Sequence, residues 1–316
     1  MGTHLLSNRS PLRVATRRSD LALAQSAQTV ALIQERCGLI AELVPMSSTG
    51  DDHPERALDA FDRKGIFLDS LRDALLSGTV DMAIHSCKDV PTDPTPGLAI
   101  TAIPPRADSR DVLVSMAGFD LDSLPRRARV GTSSARRSAQ LLAERPDLII
   151  EPIRGNVPTR IGRIHRDLDA VVLAGAGLAR LQTGRPGAPH VLNDIAYQAV
   201  PIDVNHMVPA PAQGILAIEH RDDDHELIAA LAPLNDPQSA RAAHIERSIL
   251  ADLGGGCSIP LGVHADFDDD GTATVRIFLG RGEGHSPIRL TEQLDADTDA
   301  VVFARDVVAT LKQKGA

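Results

Sequence analysis

Ala170-Val171-Val172-Leu173-Ala174 is apolar at every position and is flanked by the charged Asp169 and the small Gly175. A strand with one wet face alternates apolar and polar residues, so an unbroken run marks a strand covered on both faces. Outward from it, further strands are predicted at Asp111–Ser115, Arg129–Gly131 and Leu148–Ile153, with helical segments between them. Before the Pro104-Pro105 break the same rhythm places strands at Leu12–Thr16, Ala41–Met46, Asp81–His85 and Leu98–Ile103. The helices between carry Leu23, Ala27, Val30 and Ala31 on one face, then Leu68, Leu71 and Leu75 on one stripe. Two tandem α/β units of this kind predict doubly wound, mostly parallel sheets and a cleft where strand ends and helix N-termini meet. The remainder reads as a small α+β unit. It has helical patterns at His225–Leu234 and Pro237–Leu253, a hairpin signal at Asp270-Gly271, and a final helix near Asp297–Lys312.

With 33 Lys and Arg against 42 Asp and Glu, the net charge of −9 argues against a general phosphate-backbone binder. There is no Trp, one Tyr and six Phe, which leaves few rings for stacking on bases, so no nucleic-acid partner is expected. The 316 residues suit two or three domains. Cys37, Cys87 and Cys257 lack the spacing of a disulfide framework and fit a reducing compartment. No stretch approaches the roughly 20 apolar residues of a membrane span. The reading is a cytoplasmic protein with no membrane association. The 11 histidines show no metal-ligand spacing, so no metal is expected.

Lysine occurs only at 64, 88, 312 and 314, and nearly every other cation is an arginine. Lys88 adjoins Asp89 in HSCKDVP (85–91), a polar stretch ending an apolar strand, which points to chemistry rather than surface charge. His85 is expected to end that strand as a partly buried residue. GTSSARR (131–137) sets Thr132 and Ser134 between a strand and a helix, where free backbone N–H groups and hydroxyls hold anions. Arg136 and Arg137 add planar forks that match carboxylates. IRGNVPTR (153–160) repeats the design with Arg154 and Arg160, and ATRRSDLALAQ (15–25) with Arg17 and Arg18 before Ser19, the predicted N-cap. Three arginine-bearing turns facing one cleft would bind something carrying several carboxylates or phosphates. Cys257 follows three glycines in GGGCSIP (254–260). Two readings stand for it: a nucleophilic thiol projecting from a loop, or a small buried hydrophobe. LAGAGLARL (173–181) lacks the third glycine of a dinucleotide fingerprint, and neither a P-loop nor a GxSxG elbow is present.

Taken in order, RVATRRSDLALAQ (13–25), KGIF (64–67), HSCKDVP, GTSSARR, RGNVPTR, AGLARL (176–181), PAQG (211–214) and GGCSIPLG (255–262) resemble the hydroxymethylbilane synthase, or porphobilinogen deaminase, family. The resemblance spans nearly the whole chain. It implies two periplasmic-binding-protein-like lobes, 10–104 with 214–233 and 105–213, joined by two hinge crossings with Gln213-Gly214 near the second. It also implies a C-terminal cofactor-attachment domain, 234–316. One dipyrromethane per chain would be bound through a thioether to Cys257. Asp89 would sit beneath the pyrrole nitrogens as the catalytic carboxylate, with Lys88 beside it. Arg17, Ser19, Lys88, Thr132, Ser134, Arg136, Arg137, Arg154 and Arg160 would bind acetate and propionate groups of cofactor and growing chain. Lys64 would lie near the end of a lid. Asp20, Ala60, Pro158, Pro211 and Ala212 depart from the residues frequent in the family at those places.

The implied function is a transferase, active as a monomer. It would join four porphobilinogen molecules head to tail on the dipyrromethane primer and release a linear tetrapyrrole by hydrolysis. The rivals are a non-catalytic two-lobed polycarboxylate-binding protein and an inactive paralogue. The first explains lobes and arginines but gives no reason for Asp89 beside Lys88 or for a thiol on a glycine turn.

Overall fold

The computed structural model describes residues 10–46, 63–181, 190–192, 195–254, 259–282 and 284–316. In chain order the first elements are β1 (Leu12–Arg17), α1 (Asp20–Cys37), β2 (Ala41–Met46), α2 (Arg63–Leu76), β3 (Met82–Ser86) and β4 (Leu98–Ala102). Next come β5 (Asp111–Ser115), β6 (Arg129–Gly131), α3 (Ala135–Glu144), β7 (Ile149–Glu151), α4 (Val157–Ile161), β8 (Ala170–Ala174) and α5 (Gly175–Leu181). They are followed by β9 (His190–Leu192), β10 (Ile195–Pro201), β11 (Leu216–Arg221), α6 (His225–Leu231) and α7 (Pro237–Asp252). The last are β12 (Leu261–Phe267), β13 (Ala273–Leu279), β14 (Ile288–Leu294) and α8 (Ala300–Gln313). The chain divides into two compact units, Met1–Arg106 with Ile215–Arg241, and Ala107–Gly214 with Ala242–Ala316.

In the first unit the sheet order is β2-β1-β3-β11-β4. β1 pairs parallel with β2 and β3, whereas β11 runs antiparallel between β3 and β4, so four of the five strands point one way. Alternation along the strands sends Val14, Met82 and Ile84 into one core and Ala15 and Ala83 into another. The sheet is therefore covered on both faces. Leu68, Leu71, Ala74 and Leu75 of α2 are buried in or beside the second core, as their spacing predicts. Helix α1 departs from expectation. Its buried face is Gln25, Ser26, Thr29 and Ile33, while Ala27 and Ala31 are exposed. The polar residues tolerate burial because they are bonded: Ser26 Oγ donates to Thr16 Oγ1 at 2.7 Å and Thr29 Oγ1 to the Gln25 carbonyl at 2.9 Å.

The second unit has sheet order β7-β6-β8-β5-β10-β9, with β6 parallel to β7 and β8, and β5 antiparallel to β8 and β10. Val171 and Leu173 face one core and Ala170 and Val172 the other, which is the two-sided burial that the unbroken apolar run requires. Strands β12, β13 and β14 form an antiparallel meander. This C-terminal sheet falls in the second compact unit. Close approach explains why: a Cβ on Gly262 would come within 2.6 Å of the Val208 carbonyl oxygen. Buried Glu246 of α7 ties the same parts together, accepting from Ala212 N at 2.5 Å and Ala265 N at 2.9 Å.

Candidate active site

In the first unit β1 ends at Arg17, which is half-buried, and Ser19 caps α1 by accepting from Ala22 N at 3.3 Å. Asp20, the first helical residue, sets its charge at the positive end of the helix dipole. Strand β3 ends at Ser86, whose hydroxyl donates to Gln25 Oε1 at 3.1 Å. A short 3₁₀ turn, Cys87–Asp89, follows at once. Cys87 is buried and its N–H donates to the Ile215 carbonyl at 2.9 Å, Lys88 is half-buried and Asp89 is exposed. The turn is thus fixed at its first residue and presents the carboxylate at its last.

Behind the turn, His85 is buried rather than partly buried. Its Nε2 lies 3.0 Å from Glu219 Oε2, and Arg72 Nη2 donates to Glu219 Oε1 at 2.9 Å. Burial pushes the Glu219 pKa up. The hydrogen bonds from His85 and Arg72 more than reverse that, leaving it below an ordinary glutamate.

In the second unit Thr132 is buried and Ser134 caps α3, accepting from Arg137 N. Ser133 bridges two strand-to-helix turns, donating to the Ile153 carbonyl at 2.6 Å and accepting from Ile153 N at 2.9 Å. That clip sets the turn bearing Arg154, which is exposed, against the turn bearing Arg136 and Arg137. Asn156 caps α4, and half-buried Arg160 donates through Nε to the Gly155 carbonyl at 2.8 Å.

Arg136 and Arg137 are buried, and the carboxylate they meet belongs to the chain itself. Asp111 Oδ2 accepts from Arg136 Nη1 at 2.7 Å, and Oδ1 from Arg137 Nη2 at 2.7 Å and Nε at 3.0 Å. Gln213 Nε2 completes the shell at 3.0 Å from Oδ1. Burial alone would raise the Asp111 pKa. The two guanidinium charges and these hydrogen bonds instead hold it far below the usual carboxylate range. The pKa of Arg136 is lowered, by burial first, with the neighbouring Arg137 charge adding to it against the pull of Asp111. Arg160 is lowered by burial and by the Arg137 charge, which places it within electrostatic reach of the pair.

The family model described as "porphobilinogen deaminase, dipyromethane cofactor binding domain" matches residues 12–229, and "porphobilinogen deaminase, C-terminal domain" matches residues 240–313. The chain belongs to the porphobilinogen deaminase family. Its relatives include a porphobilinogen deaminase of Sulfurimonas denitrificans, 41% identical over 96% of this chain and 95% of the relative. Porphobilinogen deaminase 1 of Streptomyces coelicolor is 44% identical over 89% of this chain and 87% of its own length. Among solved structures, the periplasmic VFT2 domain of Bordetella pertussis BvgS aligns over 75% of this chain and 94% of its own, at a TM-score of 0.40 and 16% identity. That likeness is too distant to carry an argument.

Against the family pattern, the described residues bring Ser19, Arg17, Lys88 and Asp89 to strand ends and turns of the first unit. They bring Thr132, Ser134, Arg136, Arg137, Arg154 and Arg160 to strand-to-helix turns of the second. Cys257 lies outside the described residues. Lys64 falls in the first turn of α2, with its side chain outside them too. The sequence reading missed Asp111 and Glu219. The signal for Asp111 was available: two adjacent arginines on a helix against the sheet need an internal anion. The residues present fit a polycarboxylate group, because one buried carboxylate faces two permanently charged guanidiniums and leaves positive charge over.

Proposed function

We propose that the chain is a transferase that joins four porphobilinogen molecules head to tail and releases the linear tetrapyrrole by hydrolysis. The observation that carries this reading is the surplus positive charge buried at the start of α3, in a chain of the porphobilinogen deaminase family. When bound, the dipyrromethane supplies the free α-position onto which the first substrate is joined, and Cys257 is the residue proposed to hold it. Arg136, Arg137, Thr132 and Ser134 bind its carboxylates, and Arg17, Ser19, Lys88, Arg154 and Arg160 bind the substrate's acetate and propionate.

Asp89 does the charge work. As porphobilinogen loses ammonia, positive charge develops on its methylene carbon and ring nitrogen. A fixed carboxylate at that nitrogen stabilises the charge, and each new carbon–carbon bond releases a proton that Asp89 can accept and pass on. Lys88 keeps a cation beside it for the substrate's carboxylates. A two-lobed binding protein without catalysis would use the arginines but leave an exposed Asp89 with nothing to do.

The deciding experiment combines intact mass with substrate consumption. Chain purified from cells making porphobilinogen should carry the mass of two substrate-derived pyrrole units and should consume porphobilinogen with release of ammonia. A chain of unmodified mass that binds polycarboxylates without turnover would replace this reading with the binding protein.

A further inference from the structure

We propose that Asp111 is a positioning residue: it holds Arg136 and Arg137 as a fixed pair aimed at the cofactor's carboxylates, and through Gln213 ties that pair to the segments where the chain passes between its two units. This deepens the function proposed above and rests on it.

The geometry is one of saturation. Four donors fill the Asp111 carboxylate, and each guanidinium has a second anchor: Arg136 Nη1 also donates to the Val208 carbonyl at 2.7 Å, and Arg137 Nη1 to the Val172 carbonyl at 3.0 Å. Val208 is held in turn by Gln140, which bonds both its N–H, at 2.7 Å, and its carbonyl, at 3.0 Å. A guanidinium held at two points cannot swing, because its five N–H groups lie in one rigid plane. What Arg136 keeps for a ligand is therefore the Nε and Nη2 edge, in a direction set by the protein.

Charge gives the cluster its purpose. The three side chains are 6%, 9% and 0% exposed for Arg136, Arg137 and Asp111. An anion placed only to neutralise would match one cation; here one carboxylate orders two, and the surplus awaits a ligand anion. Gln213 spends the same Nε2 on the Ser109 carbonyl at 2.8 Å. Residues 109 and 213 stand just inside the points, after Arg106 and after Gly214, where the chain leaves one unit for the other.

A double-mutant cycle with cofactor loading as readout tests this. Apo chain is incubated with porphobilinogen, and the loaded fraction is followed by intact mass, with circular dichroism and thermal unfolding recording the fold. Asp111→Asn should load about tenfold more slowly or worse than wild type, and Asp111→Glu should recover part of the loss. Asp111→Asn alone leaves two unneutralised buried cations and is the variant at risk of unfolding. The cycle therefore includes Arg137→Gln and Asp111→Asn/Arg137→Gln, the latter with the same net cluster charge as wild type. If Asp111 positions Arg136, the double variant loads about tenfold more slowly than Arg137→Gln. If the two load alike, or if folded Asp111→Asn loads like wild type, the proposal is overturned while the function reading stands. A wild-type chain that never gains the mass overturns both.

Discussion

Each unit holds a buried carboxylate on a strand that follows a crossing of the chain from the other unit, Asp111 on β5 and Glu219 on β11, and each of these carboxylates gathers two basic side chains. The resemblance ends at charge. Arg72 alone neutralises Glu219, and its second partner, His85, is charged only when protonated. Both partners of Asp111 are permanent cations, so the second cluster keeps one positive charge beyond what the chain neutralises. A buried arginine thus says little until its counter-ions are counted. The Glu219 cluster is complete and serves as scaffold behind the Lys88-Asp89 turn, whereas the Asp111 cluster, on the function proposed above, keeps a charge for a ligand.

The largest expected effect tests whether the units divide the labour. If the second unit binds carboxylates while exposed Asp89 in the first handles developing charge, Asp89→Asn should lower turnover by ~10²–10⁴-fold. The cofactor mass should persist. Rapid-quench turnover with intact mass on the same sample measures both. Near-normal turnover would remove Asp89 from the chemistry, and a lost cofactor mass would move it to the binding side.

Glu219→Gln sharpens the comparison from the other cluster. It leaves Arg72, whose side chain is 13% exposed, without its anion, and should lower stability by about 3 kcal/mol. Because that cluster has no charge to offer a ligand, the loaded fraction should match wild type. Denaturant unfolding and intact mass decide it. Reduced loading in a folded Glu219→Gln chain would show that the two clusters are not different in kind.

Much of this contrast was legible in the sequence, and the part that was not has a common cause. Apolar runs such as Ala170–Ala174 and the arginine-bearing turns are local patterns, so strands, caps and candidate cations could be read in place. Ser19, the predicted N-cap, does cap its helix. Pairings across 26 or 147 positions, Arg137 with Asp111 or Arg72 with Glu219, leave no local trace. The same holds for the buried polar face of α1, where Ser26 is tolerated only because Thr16 waits on the sheet. Periodicity finds apolar stripes and overlooks a face buried through hydrogen bonds.

Acid should separate the clusters less sharply. Unfolded Asp and Glu titrate near 3.8 and 4.5, and both Asp111 and Glu219 lie lower when folded. A depressed folded pKa means the unfolded chain takes up the proton first. The stabilisation is therefore fully present above about pH 5 and is lost as pH falls from there through the folded values. Asp111→Asn and Glu219→Gln should each flatten the fall in denaturant midpoint between about pH 5 and pH 3. An unchanged slope in either variant would mean that its carboxylate is not ionised preferentially in the folded chain.

The smallest effect concerns the backbone that carries Gln213 to Asp111. Ala212 has φ of 59°, and Gly214, at φ 88°, could not carry a Cβ, which would meet the Ala107 carbonyl oxygen at 2.6 Å. A left-handed alanine is strained by roughly 1–2 kcal/mol, and the Glu246 bond to its N–H holds it there. Ala212→Gly relieves that strain but gives the unfolded chain more freedom, which takes back about 0.4–1 kcal/mol. The net should be a stabilisation of about 0.5–1 kcal/mol, read as a small rise in thermal midpoint with loading unchanged. If the midpoint falls instead, strain at Ala212 is not stored in the native fold, and the rigidity of the Asp111 cluster must come from its side chains alone.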